Sequence, residues 1–208
     1  MNWLAHVFLS EPSIHEQLGN LLTDPLKGKS WDGMNVETRF GMAVHLQIDG
    51  FTDSHEIFLG SCQRLGNGGR LRSVVADLVY DHMLTCNWHY FSDEPLIEFL
   101  NRFYQRTEEV IEPYPDKAQE FISAIIKSHR LGRYGTLACV EDSMTWIDKR
   151  LSDRVIARER TQDYMDKIEN EYAGLRADFM EFFPKLQSHV YPIQKQRRDT
   201  LESGIQFA

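Results

Sequence analysis

The stretch from Leu71 to Tyr90 constrains this chain more than any other. It follows a breaker, Gly66-Asn67-Gly68-Gly69, and keeps helical spacing throughout. Leu71, Val75, Leu78, Val79 and Cys86 share one face, with His82 at its centre. Asp77 and Asp81 lie together at one edge of that stripe, beside Leu84 and Trp88. A helix apolar over so much of its girth has to be buried on most sides, so the remaining chain must wrap around it.

That remainder is also helical in pattern. No evenly spaced run of short β-branched segments appears, and the 208 residues fit one domain. Hydrophobic residues make up 42% of the chain, enough for a core, and the 26% charged fraction excludes global disorder. The first residues read as a short apolar helix, a Gly19-Asn20 turn, and Leu21-Leu22-Thr23-Asp24 ahead of Pro25; Gly28 and Gly33 mark a loop. Glu37–Asp49 reads as a helix ended by Gly50. Ser92-Asp93-Glu94-Pro95 starts another that runs to about Ile111, with Leu96, Ile97, Leu100, Phe103 and Tyr104 inward. Further helices are expected over Lys117–Arg130 and Cys139–Arg150. The longest should run from Ser152 to Phe183, where Pro184 ends it. The expected architecture is an all-α, single-domain helical bundle over residues 1–187, followed by a polar tail over 188–208, extended or frayed.

The formal net charge of -8 argues against a nucleic-acid binder, which needs a basic footprint. One stretch reverses the sign. From Lys127 to Arg160 there are eight basic residues against five acidic ones, a solvated face or a docking surface for an acidic partner or a phosphate. Arg130 and Arg133 are its best candidates to face a site. The three cysteines, Cys62, Cys86 and Cys139, are odd in number and widely spaced, which suggests buried or half-buried thiols in a reducing compartment. The N-terminus has no signal-peptide pattern and no stretch has the length of a membrane span, so a cytoplasmic protein is expected.

Two clusters have metal-binding character. His45 and Asp49 stand at i and i+4 and point the same way, with Asp53 and His55 following. Asp77, Asp81 and His82 repeat that spacing. A mixed carboxylate–imidazole set suits Mn²⁺ or Fe²⁺, and carboxylates alone suit Mg²⁺. His6 and Asp24 lie in similarly apolar surroundings. Each has a competing reading: His82 as a hydrogen-bonded core residue, Asp24 as a turn residue before Pro25, Asp53 as a helix cap. His15, His55, His89, His129 and His189 read as surface or packing residues. With no nucleophile elbow, Walker loop or dinucleotide fingerprint present, an ion-activated water is the chemistry the residues favour.

The opening Met1-Asn2-Trp3-Leu4-Ala5-His6, the Gly19–Asp24 segment, His45-x-x-Ile48-Asp49-x-x-Thr52-Asp53, Asp81-His82-x-Leu84 and Phe182-x-Pro184 together resemble the acyl carrier protein phosphodiesterase family, in order and to about residue 187. The resemblance implies an all-helical, Mn²⁺-dependent, divergent relative of the HD phosphohydrolases. Its reaction would hydrolyse the phosphodiester joining 4'-phosphopantetheine to a serine of holo-acyl carrier protein. Carried onto this chain, the metal ligands become Asp24, His45, Asp49, Asp81 and His82, with His6 nearby. Arg130 and Arg133 would stabilise phosphoryl charge, and Asp77 or Asp49 would orient or deprotonate water. The rival readings are a phosphohydrolase acting on a nucleotide or other small phosphoester, and a non-enzymatic helical interaction protein.

Overall fold

The computed structural model describes residues 3–10 and 12–202, with side chains through Gln196. The opening Met1-Asn2 of the family-like segment and the end of the tail lie outside the described residues. Among the described residues the fold is an all-α, single-domain bundle with no β-strand, and no helix is long and apolar enough to cross a membrane.

The helices are α1 (Trp3–Phe8), α2 (Ile14–Leu22), α3 (Val36–Ser54), α4 (Glu56–Arg64), α5 (Arg72–Cys86), α6 (Leu96–Val110), α7 (Asp116–Ser128), α8 (Leu137–Asp148), α9 (Asp153–Ile156), α10 (Met165–Asn170) and α11 (Tyr172–Glu202). The central one is α5, as its pattern requires: Val75, Ala76 and every residue from Leu78 to Leu84 are buried. Around it an aromatic core gathers Phe58, Tyr80, Phe179, Phe182 and Phe183. Each buried phenylalanine ring contributes about 1.5–3 kcal/mol. Polar ties run through the same region. The Tyr80 and Ser61 hydroxyls meet at 2.8 Å, and Ser61 donates to Asp178, which also pairs with Arg64.

The closest helix contact is between α2 and α3. A Cβ on Gly19 would collide with the Thr38 carbonyl, and one on Gly41 with the Glu16 carbonyl. Gly19 and Asn20 therefore do not form a turn. Glycine is required there for backbone approach, and Ser13 caps a helix that runs through both residues. Nor does Gly50 end α3, which continues to Ser54, where His55 takes over as the cap of α4. Gly28 and Gly33 do adopt the positive φ expected of a loop, 64° and 79°.

The expected helix from Ser152 to Phe183 is broken into α9, a 3-10 turn over Thr161–Tyr164, α10 and the start of α11. Long-range hydrogen bonds hold the breaks. Asp148 accepts from the Thr161 N–H and hydroxyl, both at 2.8 Å. Glu159 accepts from the N–H groups of Arg70 and Leu71, supplying from outside the cap that α5 lacks locally. Conversely, Pro184 and Pro192 lie inside α11. Each interior proline costs about 3 kcal/mol, and the burial of Phe182, Phe183, Leu186 and Val190 offsets that cost. The stretch expected as an extended or frayed tail is helical up to Glu202, and Gln194 Nε2 donates to the Leu9 carbonyl. Two smaller expectations also change: Ile97 is exposed, with Phe99 inward in its place, and Cys86 is exposed rather than half-buried.

Candidate metal centre

Two helices, α1 and α3, bring His6, His45 and Asp49 together. Their ligand atoms lie within 4.8 Å of one another. Asp49 Oδ1 is 3.3 Å from His6 Nε2, and its Oδ2 is 2.9 Å from His45 Nε2. The two imidazoles stack with centroids 4.2 Å apart. Asp24, exposed just beyond α2, places Oδ1 3.3 Å from His45 Nε2.

Asn20 sets how both rings are presented. The Ser10 hydroxyl donates to the His6 carbonyl and so accepts from the Asn20 side-chain NH₂ at 2.6 Å. That turns the Asn20 amide oxygen toward His6 Nδ1, also 2.6 Å away. The Asn20 main-chain carbonyl takes His45 Nδ1 at 2.9 Å. Both partners can only accept, so both Nδ1 atoms carry the proton and both Nε2 atoms face Asp49. Neutral imidazoles oriented from behind by carbonyl oxygens are the arrangement that a metal needs. The close approach at Gly19 and Gly41 is what brings the Asn20 carbonyl within reach of α3.

Without an ion, electrostatics concentrate a proton in the cluster. Burial opposes charging of His45, but its hydrogen bonds to Asp24 and Asp49 raise its pKa to about 9. Burial would raise Asp49, yet the hydrogen bonds from His45 and His6 hold it well below the carboxylate range. Burial lowers His6. Two carboxylates converging on one imidazolium leave a place where a divalent cation can replace the proton.

The cluster opens into a pocket of about 230 Å³ lined by His6, Asp24, Asp77, Arg130 and Tyr134. Burial raises the pKa of Asp77. The Arg130 guanidinium lies 3.7 Å from the centroid of Trp146 and 5.3 Å from that of Trp3, so two indoles hold it at the mouth. Other candidates stand elsewhere. Asp81 is fully buried, accepts the Leu4 N–H at 3.1 Å, and is pushed by burial up to about 7; it anchors the first turn of the helix that carries His6. His82 bonds the Tyr134 carbonyl at 2.6 Å and the Tyr172 hydroxyl at 3.0 Å, a hydrogen-bonded core residue. Arg133 is exposed and lines a neighbouring cavity with Arg130, away from His6. His15 bonds Tyr114, His55 caps α4, and His189 stacks on Phe51. In the sequence Asn20 and Trp3 stand only within the family-like segments, with no role attached, and Trp146 is not marked at all.

The model of the family described as acyl carrier protein phosphodiesterase matches residues 1–186. An acyl carrier protein phosphodiesterase of Photorhabdus laumondii is 28% identical over 190 residues, covering 88% of this chain and 92% of its own. One from Escherichia coli O157:H7 is 26% identical over 201 residues, covering 91% and 97%. One from Enterobacter sp. strain 638 is 23% identical over 188 residues, covering 89% and 95%. No solved structure matches. With a family model spanning residues 1–186 of its 208, the chain belongs to the acyl carrier protein phosphodiesterase family.

Proposed function

We propose that this protein is a metal-dependent phosphodiesterase that cleaves 4'-phosphopantetheine from the serine of holo-acyl carrier protein, leaving the apo-protein. The observation that carries this reading is the His6–His45–Asp49 cluster opening on a pocket bordered by Arg130. His6, His45 and Asp49 would hold the ion, with Asp24 joining from the rim. Two neutral imidazoles with carboxylates suit Mn²⁺, and Mg²⁺ or Fe²⁺ are the alternatives. Asp81 and His82, on this reading, support the site rather than ligate, so a kinship to the HD phosphohydrolases would be a divergent one.

A bound divalent ion would lower the pKa of a water and polarise a phosphoryl oxygen. The chain's own residues supply the rest. Arg130, fixed by Trp146 and Trp3, donates to the non-bridging phosphoryl oxygens, where charge grows in the transition state. Asp77 borders the pocket, and burial raises its pKa, which makes it the carboxyl group suited to donate a proton to the departing serine oxygen. Water adds to phosphorus, the bond from phosphorus to the serine oxygen breaks, and that oxygen leaves protonated. The basic residues that follow α8, Lys149, Arg150, Arg154, Arg158 and Arg160, would meet an acidic helical carrier, with both proteins in the cytoplasm.

The test is incubation of metal-free protein with holo-acyl carrier protein, with and without Mn²⁺, reading the carrier's mass. Loss of the phosphopantetheine mass only with metal is expected. An unchanged mass with Mn²⁺ bound would overturn the substrate; an unchanged mass with no Mn²⁺ bound would overturn the metalloenzyme.

A further inference from the structure

A second cavity, of about 620 Å³, adjoins the pocket over the metal cluster. The two share Trp3, Asp24, Arg130 and Trp146, so they form one continuous site. The inner part holds His6 and Asp77; the outer part runs along α7, between Phe121, Ala124 and Ile125 on one side and Trp146 on the other. At the junction Trp146 carries two guanidinium groups, Arg130 at 3.7 Å and Arg150 at 3.0 Å from its ring centroid. Stacking leaves the edges of both forks available to oxygen acceptors.

We infer that this outer groove receives the pantetheine arm of the substrate, with Arg130 and Arg150 gripping the phosphate where groove and pocket meet. The inference rests on the proposed reaction and adds a direction to it: the arm lies along α7, and the carrier protein stays outside. Three observations support that occupant. The volume falls within the roughly 300–1,000 Å³ of small-molecule sites, too small for a helix of a partner protein. The apolar walls suit a long neutral chain, while two guanidinium groups stand together on Trp146 and one of them, Arg130, also lines the inner pocket, as a ligand with one anionic end requires. Lys117 and Glu120, also on the groove, offer a donor and an acceptor to the amide groups of such a chain. The phosphate remains on the arm after cleavage, so the released product should bind here too.

The experiment is titration of the full chain, with Mn²⁺ present, using 4'-phosphopantetheine and inorganic phosphate as probes. The arm should make 4'-phosphopantetheine bind more tightly than phosphate. Ala124→Trp, at an exposed position of α7, should fill the groove and weaken 4'-phosphopantetheine by roughly tenfold or more while phosphate affinity holds. Phe121→Ala, a smaller change, should weaken it by a few-fold, and thermal melts of both variants verify folding. Equal affinity for the two probes, or full 4'-phosphopantetheine affinity in the folded Ala124→Trp variant, would overturn the assignment. So would a variant that weakens intact holo-carrier but spares the free arm, since the groove would then hold the carrier's body. If holo-carrier is not hydrolysed while the free arm behaves as expected, the reaction falls and the subsite stands.

Discussion

Asn20 makes two contacts in the cluster, one through its side chain and one through its main chain. Its amide oxygen fixes His6 and its main-chain carbonyl fixes His45, while Ser10 holds the amide itself. Asn20→Ala keeps the main-chain contact and loses the other. Mn²⁺ affinity should fall by about 10–100-fold, the usual cost of losing such support, with little change in the folded fraction. Calorimetric titration of Mn²⁺ into both proteins checks this, and unchanged affinity would mean that Asn20 does not orient a ligand. The proton held by His45 makes a second prediction. Its folded pKa, about 9, exceeds the ordinary value near 6.5. Its pairing therefore stabilises the metal-free protein fully below that ordinary value and is lost as pH rises through about 9. Asp49 runs the other way: its depressed pKa contributes stability above the ordinary carboxylate range, lost in acid. Metal displaces the His45 proton, so Mn²⁺ binding near neutral pH should release a proton and strengthen up to a pH of about 9. Calorimetry in buffers of different ionisation enthalpy reads the release; a buffer-independent heat would show His45 already neutral.

At the level of the helices, glycine has opposite meanings in different places. Gly41 sits where α3 touches the backbone of α2, whereas nothing stands within 4 Å of a Cβ on Gly50. Gly41→Ala should destabilise by about 1–3 kcal/mol, through overpacking against main chain that cannot yield, and should weaken Mn²⁺ by shifting Asn20 against His45. Gly50→Ala should stabilise by about 0.5–1 kcal/mol, the ordinary gain of alanine inside a helix. Urea unfolding of the two variants measures both signs. This contrast also explains what could be read in advance. The pairing of His45 with Asp49 was legible because i,i+4 spacing within one helix fixes it locally. The part of Gly19 was not, because a turn and a close helix contact both call for glycine.

On the scale of the whole molecule, the net charge of -8 should repel an acidic carrier unless the basic residues are gathered on one side. Arg154 and Arg158 are exposed on or next to α9 and outside the groove along α7. Reversing both to Glu should raise KM for holo-acyl carrier protein several-fold, by roughly 1 kcal/mol or more of lost attraction, and leave Mn²⁺ affinity unchanged. Steady-state kinetics across salt concentrations would show the effect shrinking as screening grows; a salt-independent KM in the parent protein would place docking elsewhere. The sequence by itself determined the helical class, the buried course of α5 and the His45–Asp49 pair, because each rests on periodicity within a single segment. It also contained the ordered segments by which the family is recognised. Only the tertiary structure decided that His6 and Asp24 come within reach of that pair while Asp81 and His82 bond elsewhere. Metal geometry depends on which helices meet and at what distance. The α2–α3 contact brings Asn20 and His45 together, whereas α5 turns Asp81 toward the first turn of α1 and His82 toward Tyr134 and Tyr172. The same reason governs the C-terminal stretch, where contacts from distant residues outweigh the local preference of proline to stop a helix.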